Sequence, residues 1–330
     1  MNITTAKPSR ISHATLAGHI EIARVDHWIK NVFVIPGIVA AVSLNRLPLT
    51  VQAGKNILVG LLATCLVASS NYVLNEMMDA PFDRFHPIKR SRPVPSGRVN
   101  ITLAYFEWIA LAVCGLAFAR SISPYFTLTL MVLWLMGLVY NIPPLRSKDI
   151  PYVDVLTEAI NNPLRLLAGW FIVTSSTVVP GSLLLSYWMA GCYFMALKRY
   201  AEHRRLRDHN GLAQYRKSLA SFTPEGLMVS VSFYASASML FFGAFMIRYR
   251  IELILSFPFV ALVMALYLSL AFKPDSAVEH PEKLYRERRL MSAVMGCTLV
   301  MAVCLFIDMP KLQKIFTPTA PIQSAVSAGK

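Results

Sequence analysis

Asn71, Asn75, Asp79 and Asp83 recur every four residues. On a helix this spacing sets the side chains on adjoining turns of one face. Amide and carboxylate oxygens stacked in this way suit a hard divalent cation. Mg2+ takes oxygen ligands and is usually shared between one or two carboxylates and the phosphates of a substrate. Asn75, Glu76, Asp79 and Asp83 are therefore candidate metal ligands, with Asp79 and Asp83 at the centre of the chemistry. The stretch runs on into DRFHPIKRSRP (83–93), where His86, Lys89, Arg90 and Arg92 suit phosphate oxygens. Pro81 predicts a kink or helix end near Ala80, which would put Asp83 on the following loop. The competing reading is a solvated helix end with no chemistry.

A second group lies in the otherwise apolar run 152–174. Asp154, Glu158 and Asn162 are spaced i, i+4, i+8, with Asn161 and Arg165 on a neighbouring stripe. Charged side chains at membrane depth are costly and face the protein interior or a polar cavity. Asp154 and Glu158 read as ligands of a second metal or as donor-orienting acids, and Asp154 joins Asp79 and Asp83 as a candidate catalytic residue. Arg165 reads as a phosphate ligand, or else as the buried partner of Glu158. Pro163 opens the backbone, which is tolerated where it lines a cavity. Lys198 and Arg199 end another apolar run, at the edge of the cavity, as further phosphate binders. Arg204, Arg205 and Arg207 read as a solvated basic loop.

The elements that must position these groups follow from composition. The chain has 330 residues, 55% hydrophobic and 15% charged, with mean hydropathy +0.50. Soluble domains carry about 25% charged residues, so an integral membrane protein is expected. Nine apolar runs approach the roughly 20 residues of a spanning helix: 29–45, 56–78, 102–120, 124–141, 152–174, 182–199, 225–247, 251–272 and 290–308. They lack the alternation of barrel strands, so helices are predicted. Residues 1–26 hold charge and no apolar core, unlike a signal peptide. Ala14–Trp28 reads as a weakly amphipathic interfacial helix or a plain lead-in turn, and 315–330 as a flexible tail. The five cysteines fall inside apolar runs without a CxxC pair and imply neither disulfide nor metal site.

The net charge of +14 does not point to nucleic acid, because it is sorted by side. The N-terminus, every second loop after it (79–101, 142–151, 200–224, 273–289) and the span-edge residues Lys30, Lys198 and Arg199 hold 23 of the 32 Lys and Arg. That asymmetry predicts a cytoplasmic N-terminus and site, with the C-terminus outside.

With the motifs in view, the chain resembles the UbiA superfamily of intramembrane prenyltransferases. The resemblance rests on N-x-x-x-D-x-x-x-D in the second run and an acidic motif in the fifth. DHWIKNVFV (26–34), DRFHPIKRSRP, Asp154 with Arg165 before LLAG, KRYAE (198–202), RKSLASFT (216–223) and PEKLYRERRL (281–290) are most like the decaprenyl-phosphate phosphoribosyltransferase branch. The resemblance implies one all-α membrane domain over 1–330, nine transmembrane helices around a cytoplasm-facing cavity in the bacterial-type inner membrane, Mg2+ as cofactor, and a polyprenyl phosphate or diphosphate as lipid substrate. The co-substrate is phosphoribosyl diphosphate in that branch. YNIPPLR (140–146) is more similar to members with aromatic acceptors, and where the family's first motif has Asp after Asn this chain has Glu76. Three readings stand: phosphoribosyl transfer to a polyprenyl phosphate, prenyl transfer to an aromatic acceptor, and a non-catalytic transporter or lipid-binding protein.

Overall fold

The computed structural model describes residues 14–84, 89–207, 217–274, 276–279 and 281–316, all helix and connecting loop without a strand. Seven helical stretches among them are long and apolar enough to cross a membrane: Leu16–Asn45, Val51–Asp83, Ile101–Arg120, Pro124–Asn141, Pro224–Tyr249, Ile251–Ala271 and Arg288–Phe306. The protein is an integral, multi-pass membrane protein. The other two apolar runs depart from a simple span. Run 152–174 is broken into two short helices, and run 182–199 belongs to a helix that continues into its basic end.

A short helix α1 (Leu16–Ile22) and a 3-10 segment (Val25–Val34) lead into α2 (Ile35–Asn45). The lead-in is anchored. Thr15 N–H donates to the Arg98 carbonyl at 3.0 Å, and Arg98 donates to Glu21 at 2.6 Å. Helix α3 (Val51–Asp83) starts where Thr50 accepts from Ala53 N–H, the side-chain cap that satisfies an orphan donor. Helices α4 (Ile101–Arg120) and α5 (Pro124–Asn141) begin at the caps Asn100 and Ser123.

Helices α6 (Val153–Ala159) and α7 (Asn161–Val173) meet at Ile160. Pro163 has no N–H for the Ala159 carbonyl, so the ladder is interrupted there. Helix α7 crosses α2 at close range: a Cβ on Gly37 would strike the Leu166 carbonyl, and one on Gly169 the Val34 carbonyl. Small residues allow such approach between membrane helices, where packing drives association. Helix α8 (Gly181–Arg207) packs on α10 (Pro224–Tyr249), with the short α9 (Lys217–Ala220) between them in the chain. Helices α11 (Phe257–Ala271), α12 (Arg288–Phe306) and α13 (Pro310–Phe316) complete the chain. Helix ends at Arg46, Arg250 and Asp308 are tied together, Asp308 lying 3.4 Å from Arg46 and 2.6 Å from Arg250.

Candidate active site

The C-terminal end of α3 carries the first motif. Helical order continues through Pro81 to Asp83, contrary to the expectation that the helix ends near Ala80. Pro81 stands in the last turn, where its missing N–H removes only one bond of the ladder. Arg84 N–H still reaches the Ala80 carbonyl at 3.2 Å. Asn75, Asp79 and Asp83 therefore share one face and line a cavity of about 280 Å³.

Glu76, one residue on, is rotated by about 100°. It is 1% exposed and accepts from Arg24 at 3.0 Å and from Val94 N–H at 3.1 Å. It holds the lead-in and the 89–100 loop against α3, and it is absent from the cavity wall. The inclusion of Glu76 among the metal ligands is corrected on that geometry.

Opposite α3 stands the loop after α5, where RSKD (146–149) supplies groups that sequence reasoning missed. Arg146 and Tyr152 adopt positive φ, 22° and 63°. Non-glycine residues rarely do so unless the surrounding structure holds them; Arg146 N–H bonds to the Ile142 carbonyl at 2.8 Å. The loop turns inward and sets Lys148, 4% exposed, among three side-chain oxygens: Asp79 Oδ1 at 2.5 Å, Asn141 Oδ1 at 2.7 Å and Asn75 Oδ1 at 3.4 Å. Arg146 reaches the same Asp79 oxygen at 3.4 Å. Asp83 Oδ2 receives Arg92 at 2.5 Å. The close-set charges Arg146, Lys148 and Asp149 were the available signal for this loop.

Asp79 is engaged through Oδ1 and Asp83 through Oδ2, and both residues line the cavity. Asn75, Asp79 and Asp83 fit Mg2+ by donor chemistry and spacing.

The second motif has a different surrounding. Arg199, 1% exposed, sends Nε to Asp154 at 2.8 Å, Nη2 to Glu158 at 2.6 Å and Nη1 to Glu202 at 2.8 Å. Asp154 is fully buried and off the cavity wall, whereas Glu158, Glu202, Lys198 and Arg199 reach it. Arg199 was expected to bind phosphate; its guanidinium goes to carboxylates instead, because three of them converge on it out of water. Glu158 also accepts from the Tyr140 hydroxyl at 2.7 Å. Arg165 donates to Asn31 Oδ1 at 3.0 Å and to the Asn161 carbonyl at 3.5 Å. It lies outside the cavity lining.

Lys89 and Arg92 close the rim from the loop after α3. Burial, and secondly the Arg92 charge, push the Lys89 ammonium down to about 8, against the pull of Asp83, Glu202 and Asp79. His86 lies outside the described residues. Among the described residues, eight Lys and Arg and five Asp and Glu line the cavity, and Glu76 and Asp154 just off the wall take part of the charge of Arg24 and Arg199.

A charged chamber is set into the end of an apolar helical bundle. The chain belongs to the UbiA prenyltransferase family, whose description matches residues 32–305, and it is accordingly a transferase. Decaprenyl-phosphate phosphoribosyltransferase of Mycobacterium tuberculosis (strain CDC 1551 / Oshkosh) is 30% identical over 244 residues, 73% of this chain and 76% of that protein. Protoheme IX farnesyltransferase of Myxococcus xanthus (strain DK1622) is 29% identical over 153 residues, 45% of this chain and 51% of that one. The fold matches a UbiA homologue from Archaeoglobus fulgidus solved with DMAPP and Mg2+. The TM-score is 0.63 at 18% identity, covering 84% of this chain and 99% of that one.

Proposed function

We propose that the protein transfers a 5-phosphoribosyl group from phosphoribosyl diphosphate to a polyprenyl phosphate at the cytoplasmic face of the membrane. The observation that carries this reading is the cation surplus of the cavity. Phosphoribosyl transfer brings a diphosphate, a 5-phosphate and a lipid phosphate into one chamber. Prenyl transfer to an aromatic acceptor brings a single diphosphate. Arg24 and Arg199 are paired, with Glu76 and with Asp154, Glu158 and Glu202 respectively. Apart from them, Lys30, Lys89, Arg92, Arg146, Lys148 and Lys198 line the chamber with Asp79, Asp83 and Asp149, and this remaining surplus suits the larger phosphate load. The 30% identity to a decaprenyl-phosphate phosphoribosyltransferase points the same way. Prenyl transfer to an aromatic acceptor is the second reading, favoured by YNIPPLR at 140–146.

Asn75, Asp79 and Asp83 would hold Mg2+, which when bound offsets the charge on the leaving diphosphate. Lys89, Arg92 and Lys198 would receive the phosphate oxygens from the rim. Lys148, drawn by anionic oxygens, would exchange its Asp79 contact for a phosphate contact. The ribose C1–O bond to diphosphate breaks with cationic character at C1, and an oxygen of the lipid phosphate forms the new bond. The polyprenyl tail would lie along the apolar helices. All these cavity residues sit at the end of the bundle that the basic loops assign to the cytoplasm.

The test is a pair of reactions with purified protein and Mg2+. One uses labelled phosphoribosyl diphosphate with polyprenyl phosphate, the other polyprenyl diphosphate with 4-hydroxybenzoate. Product in the first alone is expected. Product in the second alone would replace this reading with the aromatic one, and product in neither would overturn both assignments of donor and acceptor.

A further inference from the structure

The two acidic motifs differ in what neutralises them. In the first, separate basic side chains hold the acids, Lys148 and Arg146 on Asp79 and Arg92 on Asp83. In the second, one buried guanidinium takes all three carboxylates. Arg199 directs a different nitrogen to each of Asp154, Glu158 and Glu202, between 2.6 and 2.8 Å. Asp154 Oδ2 also lies 3.4 Å from the Ser218 hydroxyl. Asp154 Oδ1 has no hydrogen-bond partner among the described residues, and Asp154 is buried and absent from the cavity lining.

Arginine suits such a place. Its planar, permanently charged fork meets several carboxylate oxygens at fixed directions. A divalent ion entering this trio would have to expel a guanidinium that sits 1% exposed and leave it buried without its acids, which is strongly unfavourable. The residues of the second motif therefore do not fit a second metal, contrary to the expectation for Asp154 and Glu158.

We infer that Asp154, Glu158 and Glu202 hold no divalent ion and that Arg199 is a built-in cation standing there in the place of a second metal, beside the ion proposed at Asn75, Asp79 and Asp83. This rests on the proposed metal role of the first motif. Arg199 acts as a positioning residue: it fixes Glu158 on the cavity wall, with Tyr140 as the second donor to the same oxygen. One fixed charge and one exchangeable ion would then set the field across the chamber.

The test counts ions directly. Full-length protein in detergent is titrated with Mn2+ as the probe, with and without inorganic diphosphate, and free Mn2+ is read by electron paramagnetic resonance. One Mn2+ per chain is expected in the wild type, none in Asp79→Asn, and one in Glu158→Gln. Arg199→Gln, which leaves three acids without their guanidinium, should bind two. If that variant does not fold, the first three counts decide. Two ions in the wild type, with one lost in Glu158→Gln, would overturn the inference while leaving the metal role of the first motif intact. A single ion that survives Asp79→Asn and disappears in Glu158→Gln would overturn the assignment of the site. A count of one in folded Arg199→Gln would remove Arg199 as the group that excludes a second ion. No ion in the wild type would overturn this inference and the metal reading beneath it together.

Discussion

Lys148 Nζ stands 2.5 Å from Asp79 Oδ1, so the loop after α5 closes onto the first acidic motif chiefly through this ammonium, with Arg146 more distant at 3.4 Å. Lys148→Met removes the charge and keeps most of the stem. Turnover should fall by about 100-fold or more, the scale of losing a preorganised electrostatic contact to developing charge. Lys148→Arg should recover part of it. Near-normal turnover in Lys148→Met would reduce the residue to a structural partner of Asp79.

Glu76 separates folding from chemistry. It is buried against Arg24 and the Val94 amide, and breaking one side of a buried pair costs about 3–5 kcal/mol. Glu76→Gln should lower the thermal midpoint by several degrees while the Mn2+ count stays at one. Loss of the ion with an unchanged midpoint would return Glu76 to the metal site.

Arg165 donates to Asn31 and a backbone carbonyl, neither of them an anion, although it sits in an apolar run where an isolated guanidinium is expensive. Under the proposed function, a substrate phosphate reaching beyond the cavity lining would be the anion that completes it. Arg165→Lys keeps the charge and loses the fork. KM for the polyprenyl phosphate should rise about 10-fold, on the scale of one charge-assisted hydrogen bond, with the melting temperature held. A lower melting temperature at constant KM would instead make Arg165 a structural link between α7 and Asn31.

These residues mark how far the chain could be read before folding. The face formed by Asn75, Asp79 and Asp83 was legible because helical periodicity is local. Glu76 was not, because its direction is decided by the docked lead-in and by Val94, eighteen residues away. Nothing in the spacing of 146–149 says that Lys148 turns inward; that depends on backbone at positive φ held by neighbouring turns. Arg199 was legible as a cation at a span edge, but its partners come from α6, forty-one and forty-five residues earlier in the chain. The broken fifth run was signalled by Pro163, whereas Pro81 gave the opposite result because it stands in a final turn.

Topology is tested independently of catalysis. The basic loops put Ser91 and Ser96 on the cytoplasmic side and Gln323 outside. Single cysteines at these positions, in a background lacking the native five, should label from the cytoplasmic face for the first two and from outside for the third. Labelling of Ser91→Cys only from outside would reverse the bundle and carry the cavity with it.

Lys89 gives a pH signature. Burial, reinforced by the Arg92 charge, lowers its ammonium from the ordinary 10.5 to about 8. Below about 8 it is charged and able to meet a substrate phosphate; above that it becomes neutral. KM for phosphoribosyl diphosphate should therefore rise as pH goes from 7 to 9.5. Stability should move the other way. The unfolded chain keeps its Lys89 proton up to the ordinary value, so between about 8 and 10.5 it binds more protons than the fold, and this residue's contribution to stability grows with pH. Weaker substrate binding without alkaline destabilisation separates Lys89 from general unfolding. Lys89→Arg, charged throughout the range, should flatten the KM profile. A KM that does not change with pH in the wild type, or that rises equally in Lys89→Arg, would take Lys89 out of the phosphate site.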